Sequence, residues 1–541
     1  MKQIIVSIIM VLLIISCTEK QKNQNDSEDI AMLKGKIDRF VPTELKYDSS
    51  SLDDREKVVV EKLYRASKIM DEIFLEQVYL KNDEIKARLI KENTEVAKLQ
   101  LELFNMMFGP FDRLEHDAPF IDTLQKPLGA NFYPEDMTKE EFEKWIKDNP
   151  NDEKAFTNEF TVIRRQNGKL VSIPFSEYWK DKLTEAAKLL KEAAEYADNP
   201  SLKKYLNSRA DAFLSNDYYQ SDMDWMDLKD HKIEIVIGPY EVYEDGMFNY
   251  KASFESFLTI EDPVESKKLD VFKKYLRDME IHLPIPDEYK NFDRGSESPL
   301  AVVNEVFTAG DTKSGIQTIA FNLPNDERVR QAKGSKKVML KNVQEAKYKT
   351  ILIPIAEIVL DKEQMQYVTL DAFFNHTLMH EMSHGVGPGF IKVDGRDTEV
   401  KKELKETYST MEECKADILG MWNNIFMIEK GVFPKTFDKD TYVTFLAGTF
   451  RSVRFGINEA HGGGNAIIYN YLLEKGGYEP YETFTKALFA GNDMLLLVST
   501  KADPQKLIQK GIELIKNNKI SEEEVNKRIR RILELKYLLL K

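Results

Sequence analysis

Two kinds of periodicity alternate along the chain. From Leu52 to about Met107, apolar residues recur at helical spacing among Glu, Lys and Leu, and no glycine or proline intervenes before Gly109-Pro110. A loop-rich segment follows, punctuated by Pro119, Pro127, Gly129 and Pro134. Tyr178 to Ala197 reads as a further amphipathic helix, stopped by Asn199-Pro200. Near His231 the period changes. Lys232 to Gly238 alternates polar and β-branched residues, Phe254 to Ile260 is a second strand candidate, and two more fall between Gly315 and Leu340. Met365 to His384 and Lys401 to Glu429 predict strong helices. The pattern is that of a helix-dominated α+β protein with a small central sheet, and 541 residues predict two or three packed units.

The N-terminus differs in kind. After Lys2, Ile4 to Ile15 is almost unbroken apolar sequence. It is shorter than the roughly 20 residues a spanning helix needs and suits a secretory signal. The run ends in Ile14-Ile15-Ser16-Cys17, which resembles the lipobox of bacterial lipoproteins. That resemblance implies cleavage before Cys17 and lipid on its sulfur; the alternative is an ordinary signal peptide with a chance cysteine. Residues 1–17 are thus expected to be a signal peptide and 18–50 a polar tether, most clearly from Thr18 to Asp29. The mature chain is expected outside the cytoplasm, held to a membrane by lipid and not by a span. Only one other cysteine exists, Cys414, so no disulfide staples such a protein and its core must suffice.

Composition narrows the partners. Hydrophobic residues make up 42% and charged residues 31%, a globular balance. A net charge of −14 argues against nucleic acid, since phosphate binding requires a basic face.

The chemistry concentrates at residues 380–384, His-Glu-Met-Ser-His. On a helix, positions i and i+4 share one face, so His380 and His384 can reach a single ion while Glu381 stays near its bound water. Catalytic zinc needs a third protein ligand and an open position. The next helix offers Glu412-Glu413-Cys414-Lys415-Ala416-Asp417, with Glu413 at 29 positions after His384. Glu413 and Asp417 lie one turn apart on one face. That suits one carboxylate as ligand and another accepting the N–H of a ligand histidine, a role open to Glu412 as well as Asp417. Ile418, Trp422, Ile425 and Phe426 are expected to form a buried face beside them. Cys414 is an alternative ligand by type, but it does not share Glu413's face.

The joint pattern, His-Glu-x-x-His followed by Glu-Glu-Cys-Lys-Ala-Asp, resembles the dipeptidyl peptidase III family of zinc exopeptidases. Better-known members carry a six-residue His-Glu-x-x-x-His motif; this chain has the five-residue form. The resemblance extends over about residues 51–485 and implies one Zn2+ per chain on His380, His384 and Glu413, with Glu381 as general base. Ile237-Gly238-Pro239-Tyr240-Glu241-Val242-Tyr243 resembles the segment whose glutamate binds the substrate's free amine and whose tyrosine stabilises the transition state, here Glu241 and Tyr243. Asn322-Leu323-Pro324-Asn325 resembles the asparagine pair that anchors the peptide N-terminus, and Glu459-Ala460-His461 the helix whose histidine, His461, steadies the tetrahedral intermediate. Gly462 to Gly464 and Asn465 stand where many members carry an arginine pattern. The family implies two lobes around a cleft, one mostly helical and zinc-bearing, one with a β-barrel-like core. Short peptides would enter as an extended strand, and closure would exclude water.

The tail, residues 486–541, departs from this pattern. Ala490-Gly491-Asn492-Asp493-Met494-Leu495 and the stretch from Lys519 to Leu533 resemble the end of a family-3 glycoside hydrolase barrel. Nothing upstream resembles the rest of such a barrel, so no glycosidase activity is expected. The expected function is dipeptide release from the N-terminus of short peptides. The alternatives are a zinc peptidase of other specificity and an inactive, peptide-binding surface lipoprotein.

Overall fold

The computed structural model describes residues 26–478 apart from residues 291, 293–299, 405–406 and 458. Cys17 and the tail resembling a glycoside hydrolase lie outside the described residues. The chain divides into two compact units. Among described residues, the first holds those up to Asp270 with Leu300 to Val343, and the second Val271 to Phe292 with Gln344 to Tyr478. Among the described residues no helix is long and apolar enough to cross a membrane.

In the first unit the helical stretch from Leu52 is three helices, Asp54–Val78, Asn82–Glu92 and Glu95–Met107. Asp53 and Glu56 form a capping box at the first, and Asn93 in the left-handed region followed by Thr94 as N-cap separates the last two. Asn199-Pro200 does end a helix, Lys180–Tyr196, but it also starts the next, Pro200–Ser215: Asn199 accepts from Leu202 N and Pro200 occupies the first turn. The tether expected over 18–50 does not describe its second half. Residues 26–37 are helical, Leu33 is fully buried with Phe74 and Phe104, and Asp112 receives both Lys36 and Arg39. Leu33, Ile37 and Phe40 supply a short apolar stripe whose burial outweighs the polar composition.

The sheet has five strands: β1 (Ile233–Glu241), β2 (Ser253–Glu261), β3 (Leu300–Gly310), β4 (Ala320–Leu323) and β5 (Lys336–Leu340). Their order is β1-β2-β3-β5-β4, with β3 and β5 parallel and the other pairs antiparallel. The resemblance implies a barrel-like core; the sheet is instead open, with β1 and β4 at its edges. Helix Asp54–Val78 covers it. Gln77 donates to Ala252 O and accepts from Phe254 N, Asp71 accepts from Gly310 N, and Ser67 bonds Ser256. A register shift between Pro239 and Glu241 bends the end of β1, where the predicted amine-binding segment begins.

Two adjacent buried acids organise the loop after β1. Asp245 accepts from the backbone N–H of Met247, Phe248, Tyr250 and Lys251 and from the Tyr133 hydroxyl at 2.8–3.1 Å. Glu244 pairs with Arg113 at 2.9 Å and Lys126 at 2.7 Å. Burial opposes ionisation of Glu244, but these two cations prevail and bring its pKa down to about 2. Because the folded value lies below the unfolded one, near 4.3, this stability is present above about pH 4.3 and is lost as pH falls through about 2. The contribution is on the order of 3 kcal/mol. Urea titrations between pH 6 and pH 2 are expected to show a steeper loss for the native chain than for Glu244→Gln; parallel curves would contradict the pairing.

Candidate metal centre

Four helices of the second unit build the site: the histidine helix Leu370–His384, the carboxylate helix Tyr408–Glu429, helix Phe437–Val453 and the glycine helix Ala460–Glu474. The histidine helix starts later than its apolar pattern suggests. Thr369 caps it by accepting from Ala372 N, and Met365–Tyr367 is a separate 3-10 turn. Gly385 ends it, as expected. The carboxylate helix packs against both the histidine and glycine helices.

That packing is unusually close because of glycines. A methyl group at Gly420 would lie 3.0 Å from the backbone N of His380 and 3.2 Å from its Cα; one at Gly464 would lie 3.0 Å from the backbone N of Cys414. The helix backbones therefore nearly touch at the levels of His380 and Cys414. Here the expected burial is corrected. Ile418 is 48% and Trp422 38% exposed, because the side of the helix turned inward carries Ala416, Asp417, Gly420, Asn423, Asn424 and Met427. Small and polar residues allow the contact that bulky ones would prevent. Phe426 is buried as expected.

Short arms on close helices bring the donors together. His380 Nε2 and His384 Nε2 are 3.1 Å apart, and Glu413 Oε2 is 3.2 Å from the first and 3.7 Å from the second. Tetrahedral zinc with bonds of about 2.0–2.2 Å separates its ligand atoms by about 3.3 Å. Glu413 Oε2 is moreover buried, with no N–H properly aimed at it. A divalent cation fits this triangle, and among the described residues no other cluster of His, Cys, Asp or Glu converges this way. Cys414 is not part of it; its buried thiol packs with Met421, Phe445 and Ile468, and burial pushes its pKa up to about 11.

Each histidine of the triangle has a carboxylate behind it. His380 Nδ1 donates to Asp417 Oδ1 at 2.7 Å, and His384 Nδ1 to Glu412 Oε1 at 3.0 Å. These bonds fix the tautomers that leave both Nε2 atoms free for the ion. Lys415 pairs with Glu412 at 2.7 Å and donates to Val386 O, tying the carboxylate to the loop after His384. Burial disfavours the imidazolium of His380, yet Asp417 and Glu413 raise its pKa to about 10. Burial likewise opposes ionisation of Glu413 and Asp417, but the facing histidines hold both well below the usual carboxylate range. Glu381 sits half-buried on the histidine helix between His380 and His384. His461 enters from the glycine helix, its Nδ1 3.0 Å from the same Glu413 Oε2.

Sequence reasoning passed over three participants. His376, one turn before His380, reaches Asp417 Oδ1 at 3.3 Å, and Asn465 donates to Asp417 Oδ2 at 2.6 Å. Glu280 accepts from Gly387 N just beyond the histidine helix. The signal for His376 was its i+4 spacing to His380, hidden in an apolar run.

The remaining predicted residues lie in the first unit. Asn325 donates to Tyr240 O at 3.2 Å and stands near the Glu241 carboxyl, whose pKa it lowers against the effect of burial; Asn322 is exposed at β4, and Tyr243 is 80% exposed beyond the end of β1. The β1–β2–β3 register adds two acids that were not predicted, Glu255 and Asp311. Burial raises the pKa of Glu241, and it raises that of Glu255 further because Glu241 and Asp311 stand near. Burial, with Glu244 and Glu241 nearby, lifts Asp311 to about 7.

Two imidazoles and a carboxylate placed so that they could hold one ion, with a glutamate beside the first imidazole, have the make-up of a metallopeptidase centre. The profile of peptidase family M49 matches residues 43–397, and the chain belongs to that family. The match covers His380, Glu381 and His384, while Glu413 lies beyond it. The structure of DPP III from Caldithrix abyssi is 62% identical with a TM-score of 0.82, covering 92% of this chain and 96% of that one. The structure of dipeptidyl-peptidase III from Corallococcus sp. strain EGB is 40% identical with a TM-score of 0.75, covering 93% and 95%. Nudix hydrolase 3 of Arabidopsis thaliana is 40% identical over 86% of this chain and 67% of its own length.

The helix contact is testable. Gly420→Ala forces a methyl against backbone and is expected to cost about 2 kcal/mol and to lower bound metal. Gly448→Ala, on a helix but with nothing within 4 Å, is expected to be neutral or stabilising by up to about 1 kcal/mol. Thermal melts with metal analysis check both; equal behaviour of the two variants would contradict the close packing.

Proposed function

We propose that this metallopeptidase is zinc-dependent and releases dipeptides from the N-terminus of short peptides. The observation that carries the reading is the triangle of His380, His384 and Glu413 with Glu381 at its side, in a chain of family M49. When bound, a zinc ion supplies Lewis acidity for the scissile carbonyl and for a water molecule. Glu381 takes the water's proton and delivers it to the leaving amine. Tyr243 donates a hydrogen bond to the oxygen on which negative charge develops, and His461 steadies that charge from the glycine helix.

The specificity comes from the carboxyl cluster around Glu241. Three neighbouring acids whose ionisation is resisted by burial favour a cationic guest, and a free α-amino group is one. Asn325 orients Glu241 for it, and Asn322 is the second anchor of the peptide N-terminus. A substrate without a free amine forfeits this attraction. Dipeptidyl peptidase 3 of Nematostella vectensis is a further relative by name, 28% identical over 37% of this chain and 30% of its own length.

Product analysis with short peptides is expected to show dipeptides as the first products, and acetylated peptides to react far more slowly. Blocked and free peptides cleaved at equal rates would overturn the specificity. Glu381→Gln is expected to lose about 10³-fold in kcat while retaining zinc; undiminished turnover would overturn the mechanism.

A lipid anchor on Cys17 accounts for the apolar segment that ends there. Such an anchor would hold the exported enzyme to a bacterial membrane, facing the periplasm or at the cell surface. In cell fractionation the native chain is expected with membranes and Cys17→Ser in the soluble exported fraction. A soluble native chain would exclude the anchor.

A further inference from the structure

Three helices meet at one carboxylate. Asp417 receives His380 and His376 on Oδ1 and Asn465 on Oδ2, at 2.7, 3.3 and 2.6 Å. The participants come in helical rows. His376 and His380 are one turn apart on the histidine helix, Glu413 and Asp417 one turn apart on the carboxylate helix, and His461 and Asn465 one turn apart on the glycine helix. The last two rows stand in register: His461 meets Glu413, and Asn465 meets Asp417.

We propose that His376 and Asn465 are positioning residues of the metal centre, gripping Asp417 from both sides so that it fixes the ring plane and tautomer of His380. A carboxylate bonded only to the ligand imidazole can turn with it; one held at Oδ1 by a second histidine and at Oδ2 from the glycine helix cannot. The contacts are too costly to be incidental. His376 keeps its Nδ1 buried without a partner and packs its ring 4.8 Å from Phe445, leaving Nε2 to make its bond to Asp417. Asn465 is buried, and its amide divides its two N–H bonds between Asp417 and the carbonyl of His461. The turn that presents His461 to Glu413 and the bond that steadies Asp417 are therefore one unit. Gly463 and Gly464 make that reach possible: a methyl at Gly463 would come within 2.9 Å of Thr410, and one at Gly464 within 3.0 Å of Cys414. The glycine helix acts as the third wall of the metal centre.

The proposal rests on the metal reading above and is tested by zinc affinity, not turnover. The zinc dissociation constant is measured by competition with a chromophoric chelator at fixed pH, beside urea stability of the zinc-free protein. His376→Phe keeps the packing against Phe445 and removes the donor; His376→Gln restores an N–H near the Nε2 position. Asn465→Leu keeps the volume without the amide, and Asn465→Ala replaces it should the leucine variant not fold. His376→Phe and the Asn465 variant are each expected to weaken zinc binding about 10-fold or more, with His376→Gln closer to the native value. Native affinity in both variants, with only zinc-free stability reduced, would show that the contacts merely hold helices together and would overturn the proposal. A native chain that binds no zinc would sink the metal reading itself.

Discussion

Everything chemical in this protein depends on how closely the carboxylate helix can approach its neighbours. Side chains as short as glutamate and histidine bring three donor atoms to within 3.1–3.7 Å only if their helices are nearly in contact. Gly420 permits that contact on one side and Gly464 on the other. A larger residue at Gly420 would spread the triangle before any of its three residues was altered, and one at Gly464 would push away the helix that carries His461 and Asn465. Backbone separation, not the identity of the ligands alone, makes the donors a centre.

The closeness has an electrostatic counterpart. Glu412, Glu413 and Asp417 lie within two turns of one helix, and their mutual repulsion is met by His376, His380, His384, His461 and Lys415, each placed against a particular oxygen. The pull on both sides is strong enough to raise the pKa of His380 to about 10 against its burial. A divalent cation replaces protons in such a network and leaves its hydrogen-bonded outer ring intact. The first unit shows the opposite arrangement. Glu241, Glu255 and Asp311 stand together at the end of the sheet, Glu255 buried and the other two partly so, and among the described residues none of the three has a cationic partner, so that neutralisation falls to protons or to a cationic guest.

Residue spacing made part of this legible in advance. The i,i+4 histidines and the Glu-x-x-x-Asp row carry their geometry wherever they lie on a helix, and the alternation of Lys232 to Gly238 announced β1. Strand β3 did not announce itself. Leu300 to Val303 is buried without alternation in the middle of the sheet, and a run of that kind has no period of two to read. The resemblance implied the glycine helix and His461, and the helix is there, but its close packing was opaque for another reason. Gly462, Gly463 and Gly464 look like helix breakers in isolation, and only the neighbouring backbone turns them into an asset. Asn465 inherits its role from them. Ile418 and Trp422 misled because apolar residues were assigned to the interior of a helix whose inner side is reserved for small and polar ones.

The most direct test is the coordination sphere of the zinc-loaded protein, read by X-ray absorption at the zinc edge. The expected sphere is two imidazole nitrogens and carboxylate oxygen, all at about 2.0–2.2 Å, with no sulfur. A zinc–sulfur shell at about 2.3 Å, which would bring in Cys414, or a sphere without imidazole would contradict it.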